Sequence, residues 1–178
     1  RQPEFTQLDL EMSFVDANDI MGIIDALVVR LAKEILGLDV QTPLPRMSYD
    51  EAMERFGHDA PDLRFGMELT DCSDLAKEAE FRVFREAAEA GGRVRGINVK
   101  GAAGQFSRKR LDELTDWVKL DFGAKGLVWF RVEENGALWS PVSKNFSEAV
   151  LGRIGERMSA QPGDLLQIQG DTNLVHVA

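Results

Sequence analysis

Residues 126–141 read GLVWFRVEENGALWSP, and this stretch decides the fold. Gly126 to Glu133 is rich in β-branched and aromatic side chains, and Ala137 to Pro141 forms a second short run. Between them Glu134, Asn135 and Gly136 carry the residues of a tight turn, so the two runs predict a β-hairpin. A hairpin makes its strands antiparallel neighbours, which fixes the type of sheet.

Working outward, Ser107 predicts a helix cap, followed by Leu111, Leu114, Trp117, Val118 and Leu120 on an apolar side that ends near Gly123. Before it, Arg93 to Val99 alternates and reads as a strand, Gly101 to Gly104 as a loop of small residues. Ala79 to Glu86, with Phe81, Val83 and Phe84, reads as another strand. After the hairpin, Asn145 and Glu148 have the capping-box spacing for a helix carrying Val150, Leu151, Ile154 and Met158, and Asp164 to Gly170 alternates as a last strand. Two strands, a helix, two strands, a helix and a final strand predict an α+β domain, a two-layer antiparallel sheet with helices on one face.

The first third of the chain has a different pattern. Arg1 to Phe14 reads as a strand. Ala17 to Leu36 places Ile20, Ile23, Ile24, Leu27, Leu31 and Ile35 at spacings of three and four, a long amphipathic helix stopped by Gly37. Ser48 and Glu51 predict a capping box opening a short helix that ends at Gly57. The domain boundary therefore falls near Gly66, with residues 1–66 and 67–178 as the two parts.

The composition is that of a globular chain: 178 residues, 44% hydrophobic and 29% charged. No apolar stretch approaches the roughly 20 residues that span a bilayer, and the opening residues are not those of a signal peptide. The single cysteine, Cys72, suits a reducing, cytoplasmic setting, and its acidic neighbours Asp71 and Asp74 argue against a nucleophile. His58 and His176 have no companions at metal-ligand spacing, so no metal site is expected.

Residues 1–9, RQPEFTQLD, carry the chemistry. On a strand Arg1, Pro3, Phe5, Gln7 and Asp9 share one face, which is cationic, aromatic and acidic together. A wall facing a core would carry Val, Ile or Leu, so this face suits a polar ligand. Phe5 offers a surface for stacking a base, Arg1 a planar set of donors for a phosphate. Phe5 alone would equally suit a core.

The spacing Arg-x-x-x-Phe-x-x-x-Asp resembles the second half of motif 2 of class II aminoacyl-tRNA synthetases. The fuller string RQPEFTQLDLEMSFVD, with PDLRFGMELTD from Pro61 and GAKGLVWFRV from Gly123, resembles the bacterial aspartyl-tRNA synthetase family. The resemblance implies that residues 1–66 belong to a catalytic domain and 67–178 to the insertion called the GAD domain. It implies an ATP site at Arg1, Gln2, Glu4, Phe5 and Gln7, and an aspartate pocket involving Asp9 and, beside it, Glu11. The implied enzyme activates L-aspartate with ATP and Mg2+ and transfers it to the 3′ end of tRNA as a homodimer formed through motif 1. Motif 1, the Phe-Arg-x-Glu segment and motif 3 are not among these residues, so no catalytic residue is assigned here and the chain is expected to be inactive by itself. Ala60 stands where the family has a lysine. A related reading is a non-catalytic RNA-binding or interaction module, like that of the tRNA amidotransferase B subunit, which should lack motif 2. Synthetases for asparagine or lysine lack the long insertion.

The net charge is −9, yet Gly91 to Leu111 holds Arg93, Arg95, Lys100, Arg108, Lys109 and Arg110 and no acid. This run suits either a solvated face or contact with an RNA phosphate backbone.

Overall fold

A computed structural model of the chain describes residues 3–173. The chain forms two compact units, Arg1–Met47 and Ser48–Ala178. In the first, helix α1 spans Ala17–Leu36 as its periodicity predicts. Asp16 caps it through a full capping box: its carboxylate accepts from Asn18 and Asp19 N–H at 2.7 and 3.2 Å, and Asp19 accepts from Asp16 N–H at 2.9 Å. Gly37 ends it with φ +68°, in the left-handed region where a side chain costs energy. The apolar residues Ile20, Ile23, Ile24, Leu31 and Ile35 of this helix stay exposed. Its one buried residue is Asp25, held by Arg46 at 2.7 Å.

Among the described residues the second unit is built on five antiparallel strands: β1 (Thr70–Asp71), β2 (Arg93–Val99), β3 (Val128–Val132), β4 (Leu138–Trp139) and β5 (Leu165–Asp171). Their spatial order is β1-β2-β5-β3-β4. The hairpin of residues 126–141 is present as β3 and β4, with Arg131 opposite Trp139 and Val132 opposite Leu138. The helices are α2 (Tyr49–Phe56), α3 (Ser73–Glu78), α4 (Arg82–Glu89), α5 (Arg108–Phe122) and α6 (Glu148–Arg157).

Strand alternation sorts the core into two layers. Val94, Phe130, Val132, Leu166 and Ile168 face α3, α4 and α6, meeting Leu75, Phe84, Ala87, Val150 and Ile154. Phe130 has no exposed surface and meets the Phe146 ring edge-on at 5.5 Å. Gly96 permits this layer to close, because a Cβ there would lie 2.6 Å from the Gln167 carbonyl and about as near Ile168. Trp129 and Leu165 point the other way, to Leu111 of α5 and Ala102. The α+β antiparallel sheet read from the sequence is thus present; α3, α4 and α6 share one face, while α5, which the sequence reading placed on the same face as α6, packs on the other.

Three local expectations are corrected. Residues 79–86 are not a strand: α3 ends at Glu78 and α4 begins at Arg82. Phe84, Ala87 and Ala88 are buried while Val83 is exposed, a helical period that the cluster of Phe and Val disguised. From residue 67 onward the order therefore starts with the short strand β1 and two helices, α3 and α4. Helix α6 is capped by Ser147, whose Oγ accepts from Val150 N–H at 3.3 Å, and Asn145 lies in a preceding 3₁₀ turn. Residues 3–14 carry no strand, since no other strand pairs with them among the described residues and an unpaired strand has no partner for its backbone groups.

Candidate functional site

The polar segment 3–14 is exposed along its length. Phe5 is exposed, and so are Leu8, Leu10, Met12 and Phe14 along the same segment. Gln7 donates from Nε2 to Asp9 Oδ2 at 3.0 Å. Glu4 and Glu11 are exposed as well. Phe14, with φ +60°, breaks the extended phase just before the Asp16 cap. Arg1 and Gln2 lie outside the described residues.

In the proline loop Asp62 accepts from the Arg64 backbone N–H at 3.0 Å and pairs with its guanidinium, which holds the Asp62 carboxyl below its usual value. Arg55 bridges Glu51 at 2.6 Å and Glu68 at 2.6 Å. Glu51 therefore turns to Arg55 instead of closing the capping box, and Ser48 alone caps α2, accepting from Glu51 N–H at 3.2 Å.

The six cations of residues 93–110 do not gather into one patch. Arg93 reaches Glu54 at 2.9 Å and Asp71 at 2.7 Å. Arg95, 9% exposed, pairs with the same Glu54 and donates to the Met53 carbonyl at 3.5 Å. These contacts tie α2 to β2. Burial alone would raise the Asp71 carboxyl, but hydrogen bonds from Ser73 and the charge of Arg93 hold it below its usual value. Lys100 reaches Asp164 at 3.1 Å, Arg108 reaches Asp112 at 3.1 Å, and Lys109 reaches Glu113 at 3.7 Å. Arg110 lies 4.7 Å from the Phe106 ring centroid and has no carboxylate partner among the described residues. Arg93, Arg95 and Lys100 are thus met by acids from other elements, which sequence distance hid, and Arg108 and Lys109 by acids one turn on in α5.

Asp164 was unremarked in the sequence beyond opening a strand. It is 4% exposed and accepts from Gly101 N–H at 2.8 Å, Gln161 N–H at 3.0 Å and Asn98 Nδ2 at 3.0 Å. Burial raises its carboxyl, but these donors and Lys100 bring it below the usual range. Cys72 is buried, and burial pushes its thiol up to about 12, far from a nucleophilic thiolate at neutral pH. No group of three His, Cys, Asp or Glu stands together as a metal site among the described residues, and no helix there is long and apolar enough to cross a membrane.

The family model described as tRNA synthetases class II (D, K and N) matches residues 1–168. The chain belongs to that family. Among these synthetases, the aspartate–tRNA(Asp/Asn) ligase of Rhodopirellula baltica is 62% identical over 97% of the chain and 29% of its own length. The aspartate–tRNA(Asp/Asn) ligase of Caldanaerobacter subterraneus is 52% identical over 98% of the chain and 29% of its own length. The aspartate–tRNA ligase of Clostridium perfringens is 50% identical over 98% of the chain and again 29% of its own length. The chain thus spans about three-tenths of these class II synthetases.

Proposed function

We propose that the chain is part of an aspartate–tRNA ligase, which activates L-aspartate with ATP to aspartyl-adenylate and transfers the aspartyl group to the 3′ end of tRNA. The observation that carries this is identity of 62% to one such ligase along 97% of the chain, beside the resemblance of residues 1–9 to motif 2. An amidotransferase-type module is disfavoured by that same string.

In this reading Phe5 stacks on the adenine, and one stacked ring contributes roughly 1 to 3 kcal/mol. Arg1 approaches the terminal phosphate as a fixed cation with paired donors, with Gln2, Glu4 and Gln7 around the nucleotide. Asp9, held by Gln7, orients the group that reads the aspartate side chain, and Glu11 lies beside it. Magnesium enters with the phosphates, because this ion is commonly held by one or two carboxylates and substrate oxygens instead of a protein cage; it supplies charge neutralisation at the phosphates. The exposed apolar side of α1 supports a place within a larger catalytic domain, since such a stripe is ordinarily covered. The dimer contact belongs to motif 1, and the setting is cytoplasmic. Relatives named for tRNA(Asp/Asn) and for tRNA alone match at 52% and 50%, so overall identity along this stretch does not separate the two ranges.

The test is a chimera in which this chain replaces the corresponding residues of the Rhodopirellula baltica ligase. Aspartyl-tRNA formation is expected to persist, and Phe5→Ala within the chimera to raise the KM for ATP by about tenfold, the kinetic size of one lost stacking contact. A folded chimera that charges no tRNA, or one indifferent to Phe5→Ala, overturns the assignment. The 178-residue chain by itself is expected to give no aspartate-dependent pyrophosphate exchange.

A further inference from the structure

Helix α5 leaves a groove of about 480 Å3 against the second face of the sheet. Its apolar floor is Ile97 and Val99 of β2 with Leu114 of α5. Trp117 forms a wall and is 50% exposed, although its place on the apolar side of α5 predicts burial. Arg110 and the Gln167 amide also line the groove.

The charges at this rim favour an anion. Arg110 has no carboxylate partner, and Glu113, which also lines the groove, is opposed by Lys109 at 3.7 Å. The groove itself carries one charge of each sign, and with Glu113 opposed by Lys109 it is Arg110 that stands without a carboxylate partner among the described residues. An accessible indole beside an uncompensated guanidinium, over an apolar floor, is the combination that holds unpaired nucleotides: the ring takes the base and the cation takes the phosphate.

Building on the tRNA-charging function proposed above, we propose that this groove takes one unpaired nucleotide of an RNA, with its base against Trp117, its phosphate on Arg110 and its base edge at Gln167. A duplex is excluded, since its bases are stacked inside the helix and cannot reach the indole.

The experiment is fluorescence anisotropy of a labelled 12-nucleotide single-stranded RNA titrated with the chain, beside a duplex of equal length. Single strands are expected to bind more tightly than the duplex. Trp117→Ala weakens that binding by about tenfold to a hundredfold, as removal of a stacking aromatic does, while Trp117→Phe largely restores it. Arg110→Gln weakens binding and lowers the slope of log affinity against log salt by about one phosphate contact, near 0.7 for single strands. Equal affinity for the duplex, or binding unchanged by Trp117→Ala with the fold intact by circular dichroism, overturns the proposal. So does concentration-dependent self-association that Trp117→Ala abolishes, because a second copy would then be the occupant. In the chimera, Trp117→Ala should leave aspartate-dependent pyrophosphate exchange unchanged, so failure here and failure of the ligase assignment are read separately.

Discussion

Removing the Asp164 carboxylate should destabilise the second unit by about 3 kcal/mol. Three donors lose their acceptor in Asp164→Ala, the N–H groups of Gly101 and Gln161 and the Asn98 amide, at about 1 kcal/mol net for each bond. The Lys100 pair adds little, because the lysine side chain is well exposed and recovers its hydration. A loss of 3 kcal/mol in a domain of this size lowers the Tm by roughly 10 °C. Urea unfolding at pH 7, followed by circular dichroism, measures the difference, with Lys100→Ala as the comparison. The pH dependence has a definite sign. The folded-state value of Asp164 lies below its unfolded one, so its contribution is present above the ordinary carboxylate range and is lost as pH falls through the depressed folded value. The difference between wild type and Asp164→Ala should therefore shrink on acidification. A cost below 1 kcal/mol at pH 7, or a Lys100→Ala variant equally destabilised, would refute the reasoning.

Phe130→Ala, which empties a fully buried site against Phe146, should cost about 3 to 5 kcal/mol in the same assay. Gly96→Ala should cost about 1 to 3 kcal/mol or more, because the Gln167 carbonyl that the new Cβ meets is backbone in a paired strand; an unchanged midpoint would show that β2 can shift away from β5. Arg95→Ala should free α2 without opening the sheet: hydrogen exchange of amides 49–56 is expected to accelerate about tenfold while those of β2 and β5 keep their protection.

Elements with strong local patterning were legible in the sequence. The i, i+3, i+4 spacing of α1, the Ser107 cap of α5 and the Asn135-Gly136 hairpin each follow from short-range chemistry. Residues 79–86 were misread because Phe81, Val83 and Phe84 satisfy a short alternating pattern while the burial that decides the period involves Ala87 and Ala88 further on. The segment 3–14 shows an opposite limit: its period is that of a strand, yet a strand is a paired object and its partner is not a local property. At the candidate site, the polar character of residues 3–9 was readable. The pairing of Arg93 and Arg95 with Glu54 and Asp71, and of Lys100 with Asp164, was not, since those acids arrive from distant positions once the sheet has formed.

The last strand in the chain, β5, sits in the middle of the sheet, between β2 and β3. During synthesis β2 and the β3–β4 hairpin are therefore two separate ribbons, each with an unsatisfied edge, until residues 165–171 leave the ribosome. The register between the two ribbons is then set in one late event, which joins β2 to β5 across more than 60 positions, as at Asn98 and Leu166, and β3 to β5 across 34 to 40. Such a sheet gains little from folding piecemeal and is exposed to edge-to-edge aggregation while it waits. Ribosome stalling just before residue 165 should accordingly yield a protease-sensitive nascent chain, and stalling with β5 fully emerged a resistant one.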